Sequence, residues 1–246
     1  MLSISNVARL FGPWGSRIEF LTRRIRNKVA RTFGDGSVPP SALALRYLRG
    51  LEGLEIGGSA HNPFGLKTKN VDFQAEPDTV FKKFEIEICG KALPVDIVAS
   101  GDDLPVADES QDFVISSHVI EHFFDPINAL LEWVRVVRPG GYIFVIAPHK
   151  ERTFDKDRPR TPLAELIARH DGRIPRPAQD THEHYSVWIT EDFLELCRYL
   201  NFNVVDYQDV DDKVGNGFTI VVKKAGELQH SSGPGVTPPR TSRRAA

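Results

Sequence analysis

Residues 110–149, SQDFVISSHVIEHFFDPINALLEWVRVVRPGGYIFVIAPH, hold two short apolar runs on either side of a helical pattern. The runs Phe113–Ser117 and Tyr142–Ala147 have the length and the Val, Ile and Phe content of buried strands. Between them, Pro126–Val137 repeats apolar residues at helical spacing, with an Asp-Pro pair at its start and Pro-Gly-Gly after its end. This stretch predicts a strand, a crossover helix and a second, parallel strand.

The same alternation of strands and helices continues on both sides of this stretch. A helical pattern covers Pro77–Ile88, whereas the polar segment 208–216 carries none and predicts a hairpin between the last two strands. We therefore predict an α/β, Rossmann-like fold: a seven-stranded, mostly parallel sheet with an antiparallel edge hairpin, helices on both faces and an N-terminal helical extension. The other predicted strands are Gly53–Gly57, Asn70–Phe73, Val95–Ala99, Asn203–Tyr207 and Gly217–Lys223.

The two ends of the chain differ in composition from its middle. Residues 1–50 hold nine Lys and Arg against two acidic residues, and Arg17–Arg31 predicts a short amphipathic helix with a basic face. That helix can contact an anionic membrane surface, bind a polyanion, cap the active site or simply pack on the body with a solvated face. The expected organisation is a basic helical extension at 1–45, one domain at 46–225 with a covering insertion at 150–188, and a disordered tail at 226–246.

Several classes of protein are disfavoured by composition. No apolar run is long enough for a membrane-spanning helix and no signal peptide pattern opens the chain, so we expect a cytoplasmic protein. Cys89 and Cys197 lack the paired spacing of zinc or redox sites, which predicts two inert core thiols. The basic segment contains no recognisable nucleic-acid-binding motif, so nucleic-acid binding is not expected.

Polar and glycine residues follow the predicted strands where a parallel sheet binds its ligands. Glycines after the first strand allow close approach of a nucleotide-like ligand, and an acid after the second strand can accept ribose hydroxyls. Each feature alone also fits an ordinary turn or a surface acid. The residues concerned are Gly57, Gly58 and Ser59 after the first strand, Asp72 after the second, Ser100, Gly101 and Asp102 after the third, and Ser117 and His118 after the fourth.

Four segments resemble class I S-adenosylmethionine (SAM)-dependent methyltransferases. These are LEIGG at 54–58, DDLP at 102–105, SQDFVISSHVIEHFFDP at 110–126 and VVRPGGYIFVIAPH at 136–149. The resemblance implies SAM as cofactor and assigns the residues that would bind it. Glu55 and Gly57 would line its methionine and ribose, with Gly58 and Ser59 beside them, Asp72 would hold the ribose, Ser100, Gly101 and Asp102 would lie at the adenine, and Ser117 and His118 would lie near the sulfonium.

The chain departs from the family pattern at two places. The usual Gly-x-Gly-x-Gly is shortened to Gly57-Gly58-Ser59, and the acid usual after the third strand is replaced by Ser100. Adenine recognition is then expected to shift to Asp102 or to the backbone. Neither change removes a group that methyl transfer requires.

Histidines and one glutamate form a second group of candidate residues. His118, Glu121 and His122 have i, i+3, i+4 spacing, which brings side chains to one face of a helical turn, and His149 ends the fifth predicted strand. The pattern is similar to the Glu-x-x-Glu-His of certain metal-dependent methyltransferases. We expect either Mg²⁺ or Mn²⁺ held by Glu121, His122 and His149, or a histidine general base without metal.

The insertion at 150–188 is expected to cover the crevice and to bind a polar acceptor. His182, His184 and Tyr185 complete the candidate catalytic residues, with Tyr185 or Trp188 stacking on the acceptor. The two histidines can equally well stabilise a loop. HKERTFDKDRP at 149–159 and DTHEHY at 180–185 resemble methyltransferases associated with surface or storage polysaccharides, and the chain is also similar to methylmannose polysaccharide 1-O-methyltransferases. This resemblance implies O-methylation of a sugar or oligosaccharide.

Two other classes of function stay open. One is a cofactor-binding module that acts through its basic N-terminal segment without catalysis. The other is a nicotinamide-dependent oxidoreductase, which requires a Gly-x-Gly-x-x-Gly fingerprint that is missing after the first predicted strand. The sequence leaves the acceptor, the methylated position and the oligomeric state open, a homodimer included.

Overall fold

The computed structural model describes residues 40–76, 79–178 and 184–226. The predicted basic helix Arg17–Arg31, His182 and the predicted tail beyond residue 226 lie outside the described residues. Within the described ranges, no helix is long and apolar enough to cross a membrane.

A seven-stranded sheet confirms the predicted fold. Its spatial order is β3-β2-β1-β4-β5-β7-β6, and only β7 runs antiparallel to its neighbours β5 and β6. All seven predicted strands are present, and β5 begins five residues earlier than predicted because Val137 pairs with Gln111 of β4. The strands are β1 (Glu52–Ile56), β2 (Lys67–Asp72), β3 (Ile97–Val98), β4 (Gln111–Ser117), β5 (Val137–Pro148), β6 (Val204–Gln208) and β7 (Gly217–Lys223).

The described helices include the two that were predicted and three that were not. In the helix Pro126–Val136, the Asp125 carboxylate accepts the Asn128 amide at 3.0 Å and Pro126 occupies the first turn, as the sequence predicted. The insertion, expected to be a polar cover, contains a helix and two 3-10 turns. The helices are α1 (Ala42–Leu48), α2 (Val80–Cys89), α3 (Pro126–Val136), α4 (Leu163–His170) and α5 (Thr190–Tyr199), and the 3-10 turns are Ile120–His122, Lys150–Arg152 and Phe154–Asp157.

Alternate residues of the central strands belong to two apolar layers, one on each face of the sheet. On one face, Val114 and its neighbours pack with Trp133 of α3 and Phe193 of α5. On the other face, Phe113 and Phe144 pack with residues of α1. The helices therefore cover both faces, as predicted, and the expected boundary between residues 45 and 46 falls within α1.

Cys197 behaves as the inert core thiol that the sequence predicted. Its side chain is fully buried in α5, and burial raises the pKa of the thiol to about 12. The thiolate needed for redox chemistry or metal binding is therefore not formed at neutral pH.

Trp133 links the helical layer to the candidate ligand-binding edge, because its indole Nε1 donates to the Gly101 carbonyl at 2.7 Å. We predict that Trp133→Ala lowers the free energy of unfolding by about 3–5 kcal/mol, through lost packing and the lost hydrogen bond. Urea denaturation followed by circular dichroism measures this change. Leu131→Ala, at a 40% exposed position of the same helix, is the matched control and should cost less than about 1 kcal/mol. Equal losses in the two variants would contradict the prediction.

Candidate active site

The order in which the chain adds strands to the sheet reverses between β1 and β4. Ligands of open α/β sheets bind at such a point. The chain moves from β1 outward to β2 and β3, and then returns to place β4 on the other side of β1. The loops that follow β1 and β4 therefore diverge and open a crevice at the carboxyl ends of the strands. Gly57 begins the first loop, and Ser117 ends β4 beside it.

Two glycines shape the loop after β1. Gly57 has φ of +67°, and a Cβ atom there would lie 2.6 Å from Cγ2 of Val119. A Cβ atom on Gly58 would lie 2.7 Å from Oδ1 of Asn70, which accepts the Gly58 amide at 2.9 Å. Both positions require glycine, because L side chains rarely adopt such a φ or fit such a gap. The shortened glycine motif thus still keeps the backbone close to the sheet.

The predicted adenine and ribose residues lie along the same edge. Asp72 ends β2 with a partly exposed side chain, and its carboxylate is 3.6 Å from Nζ of the buried Lys82. Asp102 follows β3 and accepts a hydrogen bond from the Ser100 hydroxyl. Gly101 packs so tightly that a Cβ atom would lie 2.6 Å from Ile56. The structure therefore brings these predicted residues to one edge of the sheet.

Two buried residues of α2, Lys82 and Glu85, lie next to this edge and were not predicted. The Glu85 carboxylate of α2 accepts the Ala60 and Leu93 amides, and it lies 3.3 Å from Nζ of Lys82. A charged pair at i, i+3 spacing is common on exposed helix faces, so the sequence carried no signal that this pair is buried. Its burial ties α2 to the loop after β1.

Glu121 is a fully buried carboxylate next to three imidazoles. Its Oε1 lies 3.9 Å from Nδ1 of His118, 3.9 Å from Nε2 of His122 and 3.8 Å from Nε2 of His184. Neither carboxylate oxygen has a hydrogen-bond partner among the described residues. Burial raises the pKa of Glu121 to about 7. An unsatisfied buried carboxylate is costly, so this arrangement is a candidate site for a bound group.

His118 faces this carboxylate from the end of β4. Its φ of +56° lies in the left-handed region, which a histidine adopts at a cost. Its backbone amide donates to the Ile146 carbonyl of β5 at 2.8 Å, which fixes the turn. Burial lowers the pKa of His118 to about 4, so the imidazole is neutral at pH 7.

His184 is oriented by a buried carboxylate. Its Nδ1 lies 2.6 Å from Oδ2 of Asp155, whose other oxygen accepts from Arg158 at 2.7 Å. Arg158 also donates to the His184 carbonyl at 2.7 Å. Because a carboxylate accepts, Nδ1 carries a proton and donates it to Asp155, and Nε2 is the ring nitrogen that faces Glu121. The insertion thus delivers one aligned imidazole to the cluster.

His149 lies in a different environment from the one expected. Its Nδ1 accepts the Glu151 amide at 3.1 Å, and its Nε2 is 3.7 Å from Oδ1 of Asp209. It is not among the potential ligand atoms that lie within 4.8 Å of one another, which belong to Glu121, His122 and His184. The structure therefore groups His184, rather than His149, with the two residues of the 3-10 turn.

Tyr185 and Trp188 take different positions. The Tyr185 and Ser186 amides donate to the Glu121 carbonyl at 2.7 and 3.3 Å, so this segment lies against the cluster. Trp188 is 1% exposed and packs edge-to-face on Phe193 in the core. The expectation that Trp188 stacks on an acceptor is therefore wrong, because its ring is enclosed by protein.

Lys213 lies on the loop between β6 and β7 and was not among the predicted site residues. Its Nζ donates to the Pro63 carbonyl at 2.6 Å and lies 4.9 Å from the centre of the Phe64 ring. Burial lowers the pKa of Lys213 to about 8, although the nearby Glu55 carboxylate opposes the shift. Lys213 therefore ties this loop to the loop after β1.

The chain is similar to known proteins over part of its length. Residues 65–145 match the family described as a methyltransferase domain. An uncharacterized protein of Methanocaldococcus jannaschii is 33% identical over 103 residues, which are 41% of this chain and 46% of that protein. A "probable S-adenosylmethionine-dependent methyltransferase" of Mycolicibacterium smegmatis is 43% identical over 61 residues, 25% of this chain and 23% of that protein. The chain spans less than half the length of the curated relatives it matches.

Solved structures with a similar arrangement include two SAM-dependent methyltransferases. The protein from Thermotoga maritima has a TM-score of 0.45 at 19% identity, with 90% of this chain and 98% of that chain covered. The protein from Methanosarcina mazei has a TM-score of 0.47 at 17% identity, with 76% and 98% covered.

The strand order, with β7 alone antiparallel, defines a Rossmann-like fold. The methyltransferase-domain match at 65–145 covers β2, β4 and most of β5, which include the candidate ribose and sulfonium positions. The similarity to methyltransferases therefore rests on this part of the chain.

The lowered pKa of Lys213 makes stability depend on pH. Between about pH 8 and its ordinary pKa of 10.5, the unfolded chain holds this proton more tightly than the folded protein. The folded protein is therefore stabilised as pH rises through this window, by at most about 3 kcal/mol. We predict that wild type gains stability relative to Lys213→Met between pH 8 and pH 10.5, measured by urea denaturation. A difference between the two proteins that stays constant with pH would contradict this.

Proposed function

We propose that this protein is a SAM-dependent O-methyltransferase that acts on a hydroxyl of a sugar or oligosaccharide. The observation that carries the proposal is the position of the imidazole cluster directly after β4, where Ser117 faces the glycine loop. The next residue, His118, already lies 3.9 Å from Glu121. A cofactor-binding edge and a set of proton-accepting groups therefore adjoin each other.

The donor groups of the crevice fit SAM. Asp72 offers a partly exposed carboxylate at the end of β2, where a ribose diol is held in such folds. Gly57 and Gly58 keep the backbone close to the sheet, and Asp102 and Ser100 lie after β3 for the adenine. When bound, SAM supplies a reactive methyl group, so the protein mainly has to align the acceptor and remove its proton.

The residues after β4 would perform these two tasks. Ser117 lies within 3.4 Å of the Asn62 amide across the crevice, which fixes the wall beside the sulfonium position. His118 is neutral at pH 7 and can accept a hydroxyl proton. Its left-handed backbone turns the side chain away from the strand direction and toward Glu121. We assign His118 as the general base.

A sugar acceptor is supported by the polar cover and by the sequence resemblance at 149–159 and 180–185. The insertion contains Arg152, paired with Asp209 at 3.0 Å, and Arg160, paired with Asp192. Such groups bind hydroxyls at their edges, whereas a flat apolar acceptor needs more apolar lining. The same surroundings favour an oxygen nucleophile on a hydroxyl-rich molecule.

Cofactor binding is the first test of this function. We predict that calorimetric titration gives a Kd in the micromolar range for S-adenosylhomocysteine. Asp72→Asn should weaken this binding about 10- to 100-fold, because charged hydrogen bonds to the ribose are lost. Asp171→Asn, at an exposed position after α4, is the matched control and should bind as wild type does. Absence of binding to wild type would refute the enzyme hypothesis.

Acceptor methylation is tested with methyl-labelled SAM and a panel of mannosides and other oligosaccharides. We predict transfer to a sugar hydroxyl, and a loss of about 10²- to 10⁴-fold in kcat for His118→Asn. Asparagine tolerates the left-handed backbone at this position, so the fold should be retained. His170→Asn, where His170 pairs with Asp125 outside the cluster, is the control. Cofactor binding without transfer to any acceptor would instead favour the module without catalysis.

A further inference from the structure

We infer that Glu121, His122 and His184 form a binding site for a divalent first-row transition metal ion. The inference deepens the proposed function, and it rests on that function only for the catalytic use of the ion. Ion binding itself follows from the arrangement of these three side chains.

The three ligand atoms are close enough to converge on one ion. One potential ligand atom from each residue lies within 4.8 Å of the others, and Oε1 of Glu121 is 3.9 and 3.8 Å from the two imidazole Nε2 atoms. Metal–ligand bonds of about 2.0–2.2 Å require ligand atoms roughly 3 Å apart. Small side-chain rotations therefore suffice to close the site.

The carboxylate of Glu121 is the independent sign that a bound group belongs here. The side chain is 0% exposed, and neither oxygen has a hydrogen-bond partner among the described residues. Its backbone is held in place, because its carbonyl accepts the Tyr185 and Ser186 amides. A fully buried carboxylate without a hydrogen-bond partner is costly, and a cation between it and the imidazoles would satisfy it.

A hydrogen-bonded carboxylate already orients one of the three candidate ligands. Asp155 binds Nδ1 of His184 at 2.6 Å, and Arg158 holds Asp155 at 2.7 Å. Metal-ligating histidines almost always donate their second ring N–H to a carboxylate, a backbone carbonyl or a water molecule, which fixes the tautomer and the ring orientation. Asp155 is therefore a positioning residue that presents the Nε2 lone pair of His184 to the ion.

The donor set selects the class of ion. Two imidazoles with one carboxylate suit Mn²⁺, Fe²⁺, Co²⁺ or Zn²⁺, whereas Mg²⁺ prefers an all-oxygen octahedral site. Three protein ligands leave coordination positions open. When bound, such an ion would make a coordinated hydroxyl more acidic. This chemistry matches the activation that an alcohol nucleophile needs.

Metal binding can be measured without the cofactor or an acceptor. The chelator-treated full chain is titrated with Co²⁺ and followed by visible absorption, and bound metal is counted by elemental analysis after desalting. We expect one equivalent of Co²⁺ in wild type and loss of this binding in the double variant His122→Ala/His184→Ala. Mg²⁺ should displace Co²⁺ only at large excess. His170→Ala, which removes a histidine outside the cluster, should bind as wild type does.

Two milder variants test the metal site with less risk of unfolding the protein. Glu121→Gln keeps the side-chain shape but removes the charge, and circular dichroism checks the fold of each protein. Asp155→Asn should weaken Co²⁺ binding about 10- to 100-fold without removing a ligand, as outer-shell changes do. A purely structural role for Asp155 would leave the Co²⁺ affinity unchanged and would overturn its assignment as a positioning residue.

The outcomes separate this inference from the proposed function. Binding of one Co²⁺ that is lost in the ligand variants supports the metal site even if S-adenosylhomocysteine does not bind. Equal Co²⁺ binding by wild type and the double variant, or none by wild type, overturns the site even if S-adenosylhomocysteine binds normally.

Discussion

The parallel pairing of β1 with β4 is the constraint on which the candidate site depends. The register from Gly53 opposite Phe113 to Ile56 opposite Ser116 brings the ends of both strands to one level. Gly53 permits this register, because a Cβ atom there would lie 2.3 Å from the Phe113 carbonyl oxygen. The glycine loop begins after β1, and Ser117 and His118 stand at the end of β4, so this pairing places the two loops side by side.

A second dependence runs through the buried Glu121. Its side chain faces imidazoles from two parts of the chain, and its backbone carbonyl receives the two amides that follow His184. The 3-10 turn after β4 and the end of the insertion are therefore joined by both main-chain and side-chain groups. Removing a charged group from water is costly, so a carboxylate at this position is better explained by a bound proton or cation than by packing.

The sequence predicted the sheet well because its strands are short apolar runs between Gly, Pro and Asp, a pattern that depends only on neighbouring residues. It missed α4 and α5 because these short helices alternate charged and apolar residues within segments dominated by polar groups. At the site, the local spacing of His118, Glu121 and His122 predicted a cluster that the structure contains. The sequence placed His149, not His184, in the candidate metal set, because the path of the insertion is set by contacts distant in sequence, such as Asp155 with His184.

The cluster also links the order of the insertion to whatever binds in it. His184 and its supporting residues Asp155 and Arg158 belong to the insertion, whereas Glu121 and His122 belong to the turn after β4. A group bound between them would interact with both parts only when they are together, so its binding free energy would favour the closed arrangement. Activation of an acceptor hydroxyl by such a group would then depend on the insertion, which supplies His184 to the cluster.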